Sequence, residues 1–209
     1  MKITKFEHAC FVVEQNGQSL IIDPGHYTTD LVIPQNVVAV VTTHNHADHY
    51  SEEHLQHIVD KNPDVVIIGL DEVVSQITDI KTLSVVANEG VKIGEFELEF
   101  FGGRHAVIIS DIPVIGNLGV MINNRIYYPG DSFTVPDQPV EILALPVAAP
   151  WMKFSESIEF LRAVKPTLAF PTHDAILSDE GKGLPDMMIP GFAEKVGTKY
   201  QRLVEPLEI

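Results

Sequence analysis

The chain has 209 residues, of which 45% are hydrophobic and 21% charged. These proportions are typical of a single globular domain (residues 1–209) and exclude a disordered or low-complexity protein. There are 14 Lys and Arg against 29 Asp and Glu, so the formal net charge is −15. This charge repels polyanions and anionic lipids, so we expect a small-molecule substrate, no nucleic acid and no membrane partner. The sequence leaves a homo-oligomer open.

The single cysteine, Cys10, cannot form an internal disulfide bond. No apolar run approaches the roughly 20 residues of a membrane-spanning helix. The first residues also lack the apolar core of a secretory signal peptide. Together these features predict a cytoplasmic protein.

Strand-like segments rich in Val, Ile and Phe dominate the chain. The predicted strands, in chain order, are Ile3–Val13, Ser19–Asp23, Val37–Thr42, Asp64–Gly69, Thr82–Val86, Val91–Gly94, Glu95–Phe101, Leu118–Ile122, Ile126–Tyr128, Glu141–Leu145 and Thr167–Phe170. Asn16 and Gly17 favour a hairpin between the first two strands, because both residues tolerate a positive φ.

Four helices are predicted among these strands. Ser51 and Asp71 are candidate N-caps of the first two, and Ser155 begins the third. A C-terminal helix is expected from about Pro190 to Leu203. Strands interleaved with solitary helices predict an α/β protein in which two sheets pack face to face with helices outside.

Four side chains that bind metals follow the predicted strand Val37–Thr42: His44, His46, Asp48 and His49. In an extended backbone, His44 and His46 point to the same side. Asp48 and His49 follow where a helix is about to begin, so the chain must turn and can present them from another direction. Imidazoles combined with a carboxylate favour Zn, Mn or Fe over Ca or Mg, which prefer oxygen ligands.

Three later strands also end in one His or Asp, each beside Gly or Pro: His105, Asp131 and His173. Ligands at rigid strand ends hold a metal precisely enough for chemistry. Asp23 stands in a similar place before Pro24 and could accept the free N–H of a ligand histidine, although a simple turn residue is an equal alternative. His8 and Asp174 are weaker candidates for the same role.

The pattern His-x-His-x-Asp-His at residues 44–49, followed in order by His105, Asp131 and His173, resembles the metallo-β-lactamase superfamily. The segment Ile21–Gly25 also resembles that family's second strand. The short chain and the segments Glu7–Phe11, Pro129–Ser132 and Pro171–Asp174 are most similar to small ascorbate-6-phosphate-lactonase-like hydrolases.

This resemblance implies a four-layer αβ/βα sandwich of two mixed sheets with helices outside. It also implies two divalent ions, with Zn the first choice and Mn or Fe the alternatives. One ion would be bound by His44, His46 and His105 and the other by Asp48, His49 and His173, with Asp131 bridging them. A metal-bridging hydroxide would then hydrolyse a small anionic ester, such as a lactone or phosphodiester, with Asp48 as the catalytic residue that orients it.

Other functions remain open at this point. The same scaffold can carry iron, so an iron-dependent oxidoreductase similar to persulfide dioxygenases is the main alternative. In the oxygen-reducing diiron members, Glu usually replaces the second histidine of the motif, whereas this chain has His46, which favours hydrolysis. A nuclease is disfavoured by the negative charge. Trp151 is expected to pack in the core, although it could instead wall the pocket.

Overall fold

Two mixed β-sheets of seven strands each form the centre of the protein, seen in a computed structural model of residues 1–209. The strands are β1 (Lys2–Lys5), β2 (Phe11–Gln15), β3 (Gln18–Ile22), β4 (Val37–Thr42), β5 (Val66–Gly69), β6 (Thr82–Ser84), β7 (Gly90–Ile93), β8 (Phe96–Gly102), β9 (Leu118–Ile122), β10 (Ile126–Tyr128), β11 (Ile142–Pro146), β12 (Leu168–Thr172), β13 (Lys199–Tyr200) and β14 (Leu207–Glu208). The helices are α1 (Glu52–Lys61), α2 (Asp71–Val74), α3 (Phe154–Val164) and α4 (Asp179–Ala193). None of them is both long enough and apolar enough to cross a membrane.

The two sheets share one topology. The first has the order β14-β1-β2-β3-β4-β5-β6 and the second the order β13-β12-β11-β10-β9-β8-β7. In the first sheet, β14 to β3 pair antiparallel and β3 to β6 pair parallel. In the second, β7 to β10 pair antiparallel and β10 to β13 pair parallel. Each half of the chain therefore forms a sheet with an antiparallel part and a parallel part, arranged in the same way.

Three clusters of buried apolar side chains hold the layers together. The largest, of 22 residues, lies between the sheets, and the other two pack α1 on the outer face of the first sheet and α3 and α4 on that of the second. β2 shows the alternation, since Phe11 and Val13 face the other sheet whereas Val12 belongs to the cluster of α1. This is the four-layer αβ/βα sandwich expected from the sequence.

The predicted strand Ile3–Val13 is wrong, because the chain turns back between β1 and β2. Phe6 donates its N–H to the carbonyl of Cys10 (3.0 Å), and His8 has a left-handed φ of 54°. No Gly, Pro or Asn marks this turn, and the residue with positive φ is a histidine, which adopts that conformation far less often than Gly.

The predicted C-terminal helix, Pro190 to Leu203, is also wrong. The helix, α4, is capped by Ser178, whose side chain accepts the N–H of Gly181 (3.1 Å), and it contains Pro185 and Pro190 in its interior. Glycine and proline normally indicate helix ends, so the sequence did not indicate that the first turns of α4 are helical. After α4, Gly197 adopts a φ of 78° and ends the following 3₁₀ turn, so the remaining residues form the short strands β13 and β14.

Candidate metal centre

The seven predicted metal ligands meet at one edge of the sandwich, beyond the ends of β4, β8, β10 and β12. Together with His8 they form two groups of four, within each of which the ligand-type atoms lie within 4.8 Å of one another. The first group is His44, His46, His105 and Asp131, and the second is His8, Asp48, His49 and His173. Asp131 links the groups, because its two carboxylate oxygens lie 3.1 Å from Nε2 of His49 and 3.1 Å from Nε2 of His173.

Four of the histidines are oriented alike by hydrogen bonds from Nδ1–H. The acceptors are the Thr43 hydroxyl for His44 (3.0 Å), Asp23 for His49 (2.6 Å), the Ala106 carbonyl for His105 (2.6 Å) and the Ala148 carbonyl for His173 (2.6 Å). These acceptors hold a proton on Nδ1, so the neutral form of each ring, which is the form that binds a metal, has its lone pair on Nε2. Each ring thus turns a bare nitrogen toward the centre of the cluster, as metal-binding histidines do.

The atoms at the centre fit a divalent cation. Nε2 of His49, His105 and His173 and Oδ1 of Asp131 are buried and have no hydrogen-bond partner. A buried polar atom without a partner costs about 1–3 kcal/mol, and four such atoms pointing into one place are rarely tolerated without a ligand. Imidazole nitrogens with carboxylate oxygens suit Zn, Mn or Fe.

Charge within the cluster is shared between imidazoles and carboxylates. Burial alone would lower the pKa of His173, but the Asp131 carboxylate raises it to about 9. Burial would likewise raise the pKa of Asp131, yet His49 and His173 hold it well below its ordinary value. Asp131 is therefore ionised and draws positive charge onto its neighbours. A bound divalent ion would supply that positive charge in place of protons.

The backbone around the centre is held in unusual conformations. Three residues other than glycine have left-handed backbones here, with φ of 54° for His8, 42° for Asp23 and 62° for His173. Such conformations persist where the surrounding contacts enforce them, and they cluster at functional sites. Gly25 allows the closest approach, because a Cβ at that position would lie 2.0 Å from the carbonyl oxygen of Asp48.

Two of the three supporting candidates contact the predicted ligands. Asp23 is fully buried and accepts hydrogen bonds from His49 Nδ1–H, from the Thr43 N–H (2.8 Å) and from the Thr43 hydroxyl (2.7 Å). His8 is also fully buried, and its Nδ1 accepts the N–H of Ala175 (3.3 Å). The proton is therefore on Nε2, which donates to Asp48 (3.0 Å).

Asp174 differs from the expectation that it supports a ligand histidine. Its carboxylate instead accepts a hydrogen bond from the guanidinium of Arg202, which also binds Asp186 (2.7 Å). These contacts join the segment after β12 to α4 and to the last residues of the chain. Arg202 follows β13 and was too remote in sequence to be anticipated as the partner of Asp174.

Three further residues at the centre were missed or placed elsewhere by the sequence analysis. The Thr43 hydroxyl connects Asp23 to His44, and the Asn117 side chain accepts the N–H of Asp131 (2.8 Å) while donating to the Pro129 carbonyl (2.9 Å). Trp151, expected in the core, donates its indole N–H to Asp131 (2.7 Å). The position of Thr43 directly before His44 was the only signal available, because Asn117 and Trp151 have no motif around them.

Comparison with known proteins identifies the family. Residues 2–173 match the family model described as the beta-lactamase superfamily domain. Protein Rv0786c of Mycobacterium tuberculosis is 33% identical over 88% of this chain and 89% of its own length. A UPF0173 metal-dependent hydrolase of Carboxydothermus hydrogenoformans is 25% identical over 83% of this chain and 84% of its own.

Solved structures agree on the fold. Igni18, a metallo hydrolase from Ignicoccus hospitalis, superposes with a TM-score of 0.76 over 100% of this chain and 98% of its own, at 17% identity. At this identity the likeness concerns the fold alone. The family match, by contrast, spans the ligand motif and all three later ligand positions. This chain belongs to the beta-lactamase superfamily domain family.

Proposed function

We propose that this chain is a dinuclear metal-dependent hydrolase of small esters. The observation that carries the proposal is the set of unpartnered Nε2 atoms of His49, His105 and His173 around the Asp131 carboxylate. The relative from Carboxydothermus hydrogenoformans, which is named a metal-dependent hydrolase, supports it. His46 at the second position of the motif favours hydrolysis over the iron-dependent oxidation that we considered as the alternative.

Each of the two groups of predicted ligands would bind one ion. His44, His46 and His105 would bind one ion, and Asp48, His49 and His173 the other, with Asp131 shared between them. Zn is our first choice, and Mn or Fe suits the same donor set. Two such ions would lower the pKa of a bound water to about 7 and would stabilise negative charge on a reacting oxygen.

Asp48 is the carboxylate placed to orient a water for attack. Its side chain is 22% exposed, whereas that of Asp131 is 3% exposed, so Asp48 alone of the two reaches solvent. Its Oδ2 accepts the hydrogen bond of His8 and also lies 3.3 Å from Nε2 of His173. The hydrogen bond from His8 thus fixes one oxygen of Asp48, and the other is available to accept a proton from water.

The charge of the centre favours an anionic ester. Two divalent ions bring four positive charges, of which the carboxylates of Asp48 and Asp131 offset two, while the imidazoles that bind metal are neutral. The chain as a whole, without bound ions, has a formal net charge of −15, so the centre would be its positively charged site. A lactone or phosphodiester that carries a phosphate or carboxylate is therefore the substrate class we propose, as in the lactonase-like members that the sequence resembles.

The test combines metal analysis with a substrate panel. The metal-free chain would be loaded separately with Zn, Mn and Fe, its metal content measured, and each form assayed on lactones and phosphodiesters and for oxygen uptake. We expect about two ions per chain and hydrolysis without oxygen uptake. Asp131→Ala should lose both metal content and hydrolysis, whereas Asp64→Ala, which removes an exposed carboxylate paired with Lys81, should retain both. Oxygen consumption by the iron form without hydrolysis of any ester would reject the proposal.

A further inference from the structure

We propose that Trp151 is a positioning residue of the metal centre, whose indole N–H fixes the Asp131 carboxylate that the two ions would share. The indole nitrogen lies 2.7 Å from Oδ2 of Asp131, and both side chains are almost entirely buried. Trp151 is the only tryptophan in the chain. Nothing in the sequence pattern or in the family's ligand motif assigns it a role.

The indole is itself held in place. Its ring packs edge to face on Phe133, with centroids 5.0 Å apart, and Phe133 lies two residues after Asp131 on the same loop. The ring also lies 6.2 Å from that of His105 and 6.4 Å from that of His173. Asn117 fixes the Asp131 backbone from the other side by accepting its N–H. Asn117 therefore holds the backbone of Asp131, and Trp151 holds its carboxylate.

The chemistry of an indole suits this place. The carboxylate oxygen that accepts its hydrogen bond also lies 3.3 Å from Nε2 of His105 and 3.1 Å from Nε2 of His173. A free carboxylate there could rotate and chelate one ion with both oxygens. An indole N–H only donates, so it cannot compete for a cation, and it is uncharged, so it does not repel one as Lys or Arg would. Trp151 thus restricts the rotation of Asp131 without opposing metal binding.

The test measures metal affinity directly. Metal-free Trp151→Phe would be titrated with Zn against a chromogenic chelator, and we expect binding about 10–100-fold weaker than in the parent chain, the usual loss when an orienting hydrogen bond to a ligand is removed. Phe192→Leu removes a ring on α4 that lies against Arg162 rather than Trp151, so its affinity should change by less than about threefold. Equal weakening in both variants, or none in Trp151→Phe, would overturn the proposal.

A second measurement needs no variant of Trp151. Because this is the only tryptophan, the emission of the parent chain reports the indole beside Asp131. Zn titrated into the metal-free chain should change the emission with the same midpoint as metal uptake. Emission that stays constant while two equivalents bind would show that the indole does not sense the ions, and would refute the role even if Trp151→Phe failed to fold.

Discussion

Asp23→Asn should weaken metal binding by changing the tautomer of His49. Oδ2 of Asp23 accepts two hydrogen bonds, from His49 Nδ1–H and the Thr43 hydroxyl, and Oδ1 accepts the Thr43 N–H. An asparagine of the same shape places an NH₂ group against one of these donors in either orientation. The Thr43 N–H cannot relocate its hydrogen, so the amide oxygen faces it and the NH₂ group takes the place of Oδ2. To avoid facing this NH₂ group with a second donor, His49 must move its proton to Nε2, the atom that points at Asp131 and the metal position.

The expected loss is about 10–100-fold in affinity for the ion bound by His49, which corresponds to about 1.4–2.7 kcal/mol. An unpaired buried donor adds a cost of about 1–3 kcal/mol to the stability of the metal-free chain. Zn titrations against a chromogenic chelator measure the first quantity and urea unfolding the second. Thr198→Val, which removes a buried hydrogen bond to the Pro166 carbonyl (2.6 Å), controls for loss of a buried hydrogen bond and should leave the metal affinity unchanged.

Wild-type affinity for both ions in Asp23→Asn would refute this reasoning. Asp23 would then be the simple turn residue that the sequence left as an equal alternative. A loss of stability with unchanged metal affinity would lead to the same conclusion, because it would show that Asp23 holds the turn but does not orient His49.

Three further predictions follow from the same structure. Gly25→Ala should destabilise the chain by about 3 kcal/mol and weaken metal binding, because the added Cβ would collide with the Asp48 carbonyl. Gly191→Ala, in open space on α4, should instead stabilise the chain by about 0.5–1 kcal/mol. Equal effects of the two variants in urea unfolding would contradict this. Burial raises the pKa of the Cys10 thiol to about 12, so about one thiol in ten thousand is ionised at pH 8. A thiol reagent should therefore label Cys10 only when the chain unfolds. Rapid labelling of the native chain would disprove this prediction. Chelation of the ions should lower Tm, because an ion at a hundredfold excess over its Kd adds about 2.7 kcal/mol to the free energy of unfolding. An unchanged Tm after verified removal of the ions would argue against a bound metal.

The sequence was sufficient wherever a local pattern determines the structure. The strands Val37–Thr42, Leu118–Ile122 and Ile126–Tyr128 have the predicted bounds, and Ser51 caps α1 as expected. Their apolar runs are short and end in residues that favour turns, so packing did not override the local preference. The side chains predicted as ligands could be expected to lie close together for the same reason, because they follow strand ends at one edge of the sheets.

Contacts between distant segments could not be predicted from a single sequence. Trp151 reaches Asp131 only because β10 and β11 are neighbours and the loop after β11 folds back over the sheet edge. Asn117 reaches Asp131 across the hairpin of β9 and β10. The left-handed backbone of His8 likewise depends on surrounding contacts rather than on the identity of the residue. Each of these is a tertiary effect with no local periodicity.

The repeated topology of the two sheets has a consequence for assembly. His44 and His49 follow β4 of the first sheet, whereas His105, Asp131 and His173 follow β8, β10 and β12 of the second. Neither half of the chain carries a complete coordination shell, so tight binding of an ion requires that both halves have already docked. The ions would then bind late in folding, after the two halves have packed together, and would stabilise that packing. The affinity for metal would therefore report how well the interface between the halves has formed.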